Sequence, residues 1–297
     1  MQIGFIGLGR MGGNMVTRLV GGGHGVVGYD PSSAARQTVT AAGARAVDSV
    51  KALVEALAPP RAVWVMVPAG EATDSVLREL AGRLEAGDLI VDGGNTHYKD
   101  DVRRARELGT RGLSYVDAGV SGGIWGLERG YCLMVGGEVA AVQRLAPILG
   151  TLAPPGGWLH VGSVGSGHYV KMIHNGIEYG MMQAYAEGFE LMSAAEYGLE
   201  LAAIARLWNQ GSVVRSWLLE LTADVLAANP RLDGLKAWVE DSGEVRWTVE
   251  DAVYKAVPAP AITAALFARF RSRRDASFAD RLLTALRHAF GGHATRR

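Results

Sequence analysis

Lys171, His174, Asn175 and Glu178 fall at i, i+3, i+4 and i+7 in a stretch without proline. At about 100° per residue the four span roughly 100° of arc, so a helix would project amine, imidazole, amide and carboxylate from one face. Their neighbours Met172, Ile173, Ile177 and Met181 are apolar. A lysine in such surroundings sheds its proton more readily and can serve as a base near neutrality, while a partly desolvated glutamate can serve as an acid. The competing reading is a solvated Lys–Glu stripe on a helix surface. Four different chemistries on one face, directly after a glycine-rich turn, weigh against it.

Gly7-Leu8-Gly9-Arg10-Met11-Gly12 follows an apolar run at the chain start and opens a helical stretch. There the first glycine permits a tight turn, the second lets backbone approach a pyrophosphate, and Gly12 lets helix pack closely on strand. Dinucleotide phosphates would rest on the unpaired N–H groups at the helix start, around Arg10 and Met11. Asp30 comes 21 residues after Gly9, at the end of the next apolar run. A carboxylate there accepts hydrogen bonds from the adenosine ribose diol and repels a 2′-phosphate, which selects NAD and disfavours NADP. The plainer alternative is that Asp30 caps the helix beginning at Pro31; Arg36 is the nearest basic residue.

Val67, Pro68 and Ala69, ahead of Gly70, and Asn95, within Asp92-Gly93-Gly94-Asn95-Thr96, follow later apolar runs. Strand ends of this kind bind ligands in doubly wound sheets, although each segment also fits ordinary turn chemistry. In the run 117–123, Ser121 offers a hydroxyl and Gly122 and Gly123 offer bare backbone N–H groups to one anion, unless the run is a plain loop. Arg246 and Thr248, joined later by Arg269, put two cations beside a hydroxyl. That set suits a phosphate monoester dianion, or two interhelical salt bridges.

These residues need a frame. Apolar runs at 2–6, 26–29, 62–67, 89–91, 113–116, 131–135 and 158–161 predict strands. Between them, 11–20, 33–42, 72–84, 99–108 and 139–149 have helical spacing and few breakers. The alternation predicts a parallel sheet with crossover helices on both faces. After the glycine-rich turn at 162–167, a helix of about thirty residues is predicted from His168 to Tyr197, and everything beyond it reads helical. The expected fold is an α/β Rossmann-type dinucleotide-binding domain (1–164) followed by an all-α domain (165–297) for substrate binding and dimerisation.

Composition sets the limits. Of 297 residues, 48% are hydrophobic and 20% charged, and thirty basic residues cancel thirty acidic ones. A duplex-binding surface normally needs a basic excess, so nucleic acid is not an expected partner. The single cysteine, Cys132, excludes an intrachain disulfide and a cysteine zinc cluster, and suits a reducing cytoplasm. A strand beginning at Ile3 leaves no room for a signal peptide, and no apolar run reaches the roughly eighteen residues of a membrane span. Forty glycines are roughly double the usual share of about 7%, which suggests backbone brought close to a ligand.

Taken together, the motifs resemble the 6-phosphogluconate dehydrogenases, specifically their short, decarboxylating branch. The likeness runs through 7–12, 67–70, 92–96, 120–123, 165–178, 208–219, 246–248 and 290–293. Its most specific part pairs Asp92-Gly93-Gly94-Asn95 with Lys171-Met172-Ile173-His174-Asn175-Gly176-Ile177-Glu178. The resemblance implies oxidation of 6-phosphogluconate at C3 by NAD, loss of carbon dioxide and tautomerisation to ribulose 5-phosphate, a step of the pentose phosphate pathway, without a metal. It assigns Lys171 to the 3-hydroxyl proton, Glu178 to C1 of the enediol, and His174 and Asn175 to substrate hydroxyls. Ser121, Gly122 and Gly123 would hold the carboxylate, with Asn95 beside substrate and cofactor. Tyr179, Arg246, Thr248 and Arg269 would bind the phosphate, together with Arg287 and His293 reaching in from a neighbouring subunit.

There are departures from the family pattern. Gly243-Glu244-Val245 precedes Arg246 where the family usually has Gly-x-Gly. The second half of the helical domain found in longer members is missing, so a homodimer or homotetramer is expected. Two other functions fit subsets of these residues. One is a β-hydroxyacid dehydrogenase or reductase acting on a small unphosphorylated acid, though that class typically has Asn-Asn in place of His174-Asn175. The other is a non-catalytic NAD-binding sensor, against which Lys171 and Glu178 both argue.

Overall fold

The computed structural model describes residues 1–291. β1 (Gln2–Ile6) leads into α1 (Arg10–Gly21), followed by β2 (Gly25–Tyr29), α2 (Ser33–Ala41), β3 (Arg45–Val47), α3 (Val50–Glu55), β4 (Ala62–Val65), α4 (Glu71–Ala81), β5 (Leu89–Asp92) and α5 (Tyr98–Gly109). β6 (Ser114–Ser121) passes through a 3₁₀ turn and α6 (Gly126–Arg129) into β7 (Cys132–Gly137), α7 (Val139–Leu152) and β8 (Trp158–Gly162). The strands form one eight-stranded sheet in the order β3-β2-β1-β4-β5-β6-β7-β8.

Alternation along each strand divides the core. Ile3, Phe5, Trp64, Leu89 and Val91 face a cluster completed by Met15, Val16 and Leu19 of α1 and by Leu145, Ile148 and Leu149 of α7. Ile6, Val63, Val65 and Ile90 face the opposite cluster, with Leu53 of α3, Leu77 and Leu80 of α4 and Leu108 of α5. Strands buried on both faces read as continuous apolar runs, which is why they were legible. The order reverses between β1 and β4, and the loops after these two strands carry the glycine motif and Val67–Gly70. Such a switch point is where open α/β sheets bind ligands.

Two expectations are corrected. The sheet is not all parallel, because β7 runs antiparallel to β6. The connection between them is too short for a crossover helix, and a parallel return needs a dozen or more residues. β6 also continues to Ser121 rather than ending near 116, so Asp117–Val120 are buried strand residues, not loop. Alternating small and polar residues hid this extension. The short β3 and α3 carry too few residues for a periodic signal.

Beyond β8 the chain is helical: α8 (Ser166–Ser193), α9 (Leu201–Trp208), α10 (Trp217–Ala228), α11 (Glu244–Tyr254), α12 (Pro260–Ser272) and α13 (Phe278–Gly291). The chain divides into two units within α8, one being Met1–His174 and the other beginning at Asn175. In the second unit, Phe189 of α8 packs with Ala205, Leu219 and Leu226 of α9 and α10. Tyr179 packs separately with Val245, Ala265 and Leu266 of α11 and α12. No helix among the described residues is long and apolar enough to cross a membrane.

Candidate active site

The glycine loop separates two kinds of requirement. A Cβ on Gly7, whose φ is +92°, would lie 2.3 Å from the Met66 carbonyl oxygen, and one on Gly12 would lie 2.0 Å from that of Gly7. Both are glycine because the chain itself leaves no room. At Gly9 a Cβ would meet nothing within 4 Å. Gly9 is the N-cap of α1 and brings no capping side chain. The open space and the uncapped N–H groups of Arg10 and Met11 make a cradle that fits a pyrophosphate. Asp30 reaches back to this loop: its Oδ2 accepts from the Leu8 N–H at 2.8 Å, and its Oδ1 from the Ser32 N–H at 2.8 Å. The cap of α2 is Ser32, not Asp30. Arg36 donates to the backbone carbonyls of Asp30 and Pro31.

Asn95 is exposed while Asp92, Gly93, Gly94 and Thr96 around it are buried. Asp92 produces that arrangement by accepting from the Gly94 N–H at 3.0 Å and the Thr96 hydroxyl at 2.9 Å. A Cβ on Gly93 would collide with the Trp64 indole nitrogen at 2.2 Å. At the end of β6, the Ser121 hydroxyl is 3.5 Å from His174 Nε2. Gly122 and Gly123 then turn with φ of +128° and +53°. α1 holds the segment that follows, Asn14 donating to the Ile124 carbonyl and Arg18 to that of Leu127. The helix opened by the cofactor loop therefore also braces the turn beside Ser121.

Lys171 is 7% exposed. Its turn of α8 lies directly on β6, where a Cβ on Gly119 would be 2.4 Å from the Lys171 Cβ. Gly167 makes a second such approach, since a Cβ there would be 2.5 Å from the Met134 carbonyl oxygen and 2.6 Å from that of Asp117. Asp117 caps the same turn, its carboxylate accepting from the Gly165 and His168 N–H groups at 2.7 and 2.9 Å. Asn175 is buried and His174 and Glu178 half-buried, so the face is not a solvated stripe.

Under this seat lies a buried polar network that sequence reasoning missed. His168 Nδ1 is 2.8 Å from Asp101 Oδ2, and the Tyr115 hydroxyl is 2.8 Å from Asp101 and 3.0 Å from Asp92. Arg104 bonds Asp92 at 3.3 Å and Asp74 at 2.9 Å. Burial lowers the proton affinity of His168, but the carboxylates of Asp101, Asp92 and Asp117 outweigh it and raise its pKa to about 9. Burial likewise raises Asp101 to about 6, against the pull of His168. Asp92, Asp101 and His168 place ligand-type atoms within 4.8 Å of one another. Their cations come from the chain, as Arg104 and the imidazolium. The network's members are scattered in sequence, with Asp92 at the end of β5, Asp101 and Arg104 on α5, Tyr115 on β6 and His168 just after Gly167.

In the second unit, Tyr179 is buried and Arg269 stacks on its ring, the guanidinium carbon 3.4 Å from the centroid. Arg246 lies in the first turn of α11, with buried Thr248 one half-turn on. Val245 points into the core with Tyr179 and Leu266. Arg287 is exposed on α13, and its side chain makes no hydrogen bond or ion pair with a described residue. His293 lies outside them.

Comparisons with known proteins agree along the whole chain. A family model described as the NAD binding domain of 6-phosphogluconate dehydrogenase matches residues 2–165, and one described as that enzyme's C-terminal domain matches 167–284. A Haloferax volcanii protein named NAD(+)-dependent, decarboxylating 6-phosphogluconate dehydrogenase is 45% identical over 100% of this chain and 99% of its own. A Bacillus subtilis relative named NADP(+)-dependent is 37% identical, and the match covers 91% of this chain but 61% of that longer protein. Among solved structures, a Plasmodium falciparum 6-phosphogluconate dehydrogenase, described in apo form and with NADP+ and 6-phosphogluconate, superposes with a TM-score of 0.86 at 30% identity. It covers 98% of this chain and 65% of that one. A Mycobacterium tuberculosis 3-hydroxyisobutyrate dehydrogenase gives 0.72 at 26%, covering 89% and 90%.

The contact beneath Lys171 can be tested directly. Gly119→Ala forces a methyl group into the Lys171 Cβ, so α8 must shift; displacement on the ångström scale typically costs about a hundredfold in turnover. We expect that loss in kcat with NAD affinity, read by fluorescence titration, unchanged. A fully active Gly119→Ala enzyme would show that the close approach does not set Lys171.

Proposed function

The chain belongs to the 6-phosphogluconate dehydrogenase family, and from that premise we propose that it oxidises and decarboxylates 6-phosphogluconate to ribulose 5-phosphate and carbon dioxide with NAD as the preferred oxidant. The observation that carries this reading is Lys171, buried against Gly119 and followed at helical spacing by His174, Asn175 and Glu178.

Bound nicotinamide supplies the acceptor for the hydride that leaves C3. Lys171, as the free amine, takes the 3-hydroxyl proton as that hydride departs. The resulting ammonium returns the proton to the 3-keto oxygen as the C1–C2 bond breaks, so a cation sits where negative charge develops. Glu178 protonates C1 of the enediol. His174, Asn175 and Asn95 orient hydroxyls, and Ser121 with Gly122 and Gly123 holds the carboxylate until it leaves. Tyr179, Arg246, Thr248 and Arg269 bind the phosphate, joined by Arg287 and His293 of a neighbouring subunit. The cofactor rests on Gly7, Gly9, Arg10, Met11, Gly12, Asp30, Val67, Pro68, Ala69 and Asn95. A homodimer or larger assembly is supported by α13, where Phe278, Leu282 and Leu286 recur at i, i+4 and i+8 and are 71%, 47% and 50% exposed. The substrate domain is the all-helical part from residue 165 onward.

Lys171→Met should fold, bind NAD and lose turnover by about a hundred- to ten-thousandfold, the usual cost of a positioned base. Near-normal turnover would remove Lys171 from the mechanism. In Glu178→Gln, steady-state turnover should fall further than the pre-steady-state burst of NADH, because its step follows hydride transfer.

Cofactor choice is read from kcat/KM with each dinucleotide. NAD should win, and Asp30→Ala should narrow the gap from both sides, losing the ribose contact and freeing the Leu8 N–H. A wild-type preference for NADP would overturn the role of Asp30.

Sharing of sites between subunits is tested by mixing Lys171→Met with the double variant Arg287→Ala/His293→Ala. Hybrid assemblies should recover activity, since one site regains every residue. No recovery, with subunit exchange shown by differently tagged chains, would confine the site to one chain.

A further inference from the structure

Asp241 joins two arginines of the helical unit, Arg246 and Arg273. Its side chain is 2% exposed, while that of Arg246 is 52% exposed. Arg246 Nε donates to Oδ1 at 2.8 Å and Nη2 to Oδ2 at 3.0 Å. Arg273 donates to the same Oδ2 at 2.6 Å. Both guanidiniums lie over the Phe270 ring, at 4.9 Å and 5.4 Å from its centroid. The segment carrying Asp241 is itself fastened to α12: the Val239 N–H donates to the Ser272 hydroxyl, and Arg269 donates to the Glu240 carbonyl.

A guanidinium has five N–H donors on two usable edges, one made by Nε and Nη2 and the other by the two terminal nitrogens. Asp241 occupies the first edge of Arg246, and Phe270 covers a face. The terminal edge remains, and no hydrogen bond to a described residue uses it. A side chain otherwise free to rotate is thereby held with one donor fork fixed on Asp241 and the other in a set orientation. The buried carboxylate is the fixed partner and the exposed guanidinium the held one. The Arg246 hydrogen bonds are the leading reason that the Asp241 pKa falls to about 2, with Arg273 adding to them against burial. The clamp thus stays charged throughout the physiological range.

We propose that Asp241 is a positioning residue for phosphate recognition: it fixes the guanidinium of Arg246 so that its terminal edge meets a phosphate monoester, and Arg273 holds Asp241 in place. This rests on the reading of Arg246 as a phosphate ligand. It also accounts for Val245, since orientation comes from Asp241 and Phe270 and the valine side chain is spent in the core.

The test uses the full-length enzyme and variants Asp241→Asn, Asp241→Glu, Arg246→Ala and Arg273→Gln, with thermal unfolding to establish folding. With the fork no longer fixed, Asp241→Asn should raise the KM for 6-phosphogluconate by roughly tenfold, the usual scale for a lost charge-assisted contact. Its kcat should stay within about twofold and its KM for NAD should not move. Competitive inhibition by inorganic phosphate should weaken in parallel. Arg273→Gln should show the same pattern, smaller. An unchanged or lower KM in Asp241→Asn, while Arg246→Ala raises it, overturns the proposal and leaves the phosphate reading standing; a lower KM would mean that Asp241 competes with substrate. If Arg246→Ala leaves KM and phosphate inhibition untouched, the phosphate reading falls and the proposal with it. Should Asp241→Asn not fold, Asp241→Glu carries the test: its longer arm displaces the fork and should raise KM severalfold at constant kcat, and an unchanged KM overturns the proposal.

Discussion

The approach of α8 to β6 governs the rest of the first unit. Gly119 and Gly167 let a helix lie on a strand at a separation that would make an added Cβ overlap a neighbouring backbone or Cβ atom. Such contact leaves no room for side chains to mediate, so polar backbone must be satisfied locally. Asp117 does so by accepting two N–H groups at the start of α8 from within the sheet. A charged acceptor at a helix N-terminus also meets the positive end of the helix dipole. Helix, strand and cap thus fix the first turns of α8 as one body, and Lys171 inherits its position from them.

Burying Asp101, His168, Asp92 and Arg104 behind that seat is costly unless each charge has a partner. The network answers this by linking elements that carry different site loops. Asp92 shapes the turn that exposes Asn95, Arg104 and Asp101 come from α5, and His168 belongs to the turn that precedes Lys171. Removing one member would strand another charge in a low-dielectric interior. The network therefore ties the α5, β5 and α8 segments together through contacts that are costly to break one at a time. On the proposed mechanism, that fixed frame serves a base that must meet one particular hydroxyl proton.

What was legible follows from which signals are local. The strands buried on both faces and the glycine loop announce themselves in continuous sequence, as does the four-residue face of α8. Gly7 and Gly12 could be read from spacing, and the structure supplies the collisions that require them. The direction of β7 was not legible, because parallel and antiparallel strands have the same composition. The extension of β6 was masked by glycine and aspartate, residues that usually mark turns. Asp117 and His168 act through partners about 50 to 70 residues away in the chain, as the 67-residue separation of His168 from Asp101 illustrates, and Asp241 reaches Arg273 across 32 residues. No window of sequence contains such a pair.

The long helix brings an economy to the proposed chemistry. Lys171 and Glu178 are seven residues apart on α8, which is two turns, about 10.5 Å of rise and within roughly 20° of the same heading. Their separation is set by backbone hydrogen bonds instead of by loops, so it cannot drift with loop motion. In the proposed reaction the proton taken at C3 and the proton given at C1 belong to different steps, so the two groups need not touch. They need a constant spacing and different surroundings. The sequence provides both: Lys171 sits on the turn fastened to β6 by Gly119, whereas Glu178 lies beyond the point where the chain divides into its two units. On the proposed reading one helix thus carries both the base and the acid without any loop having to carry either.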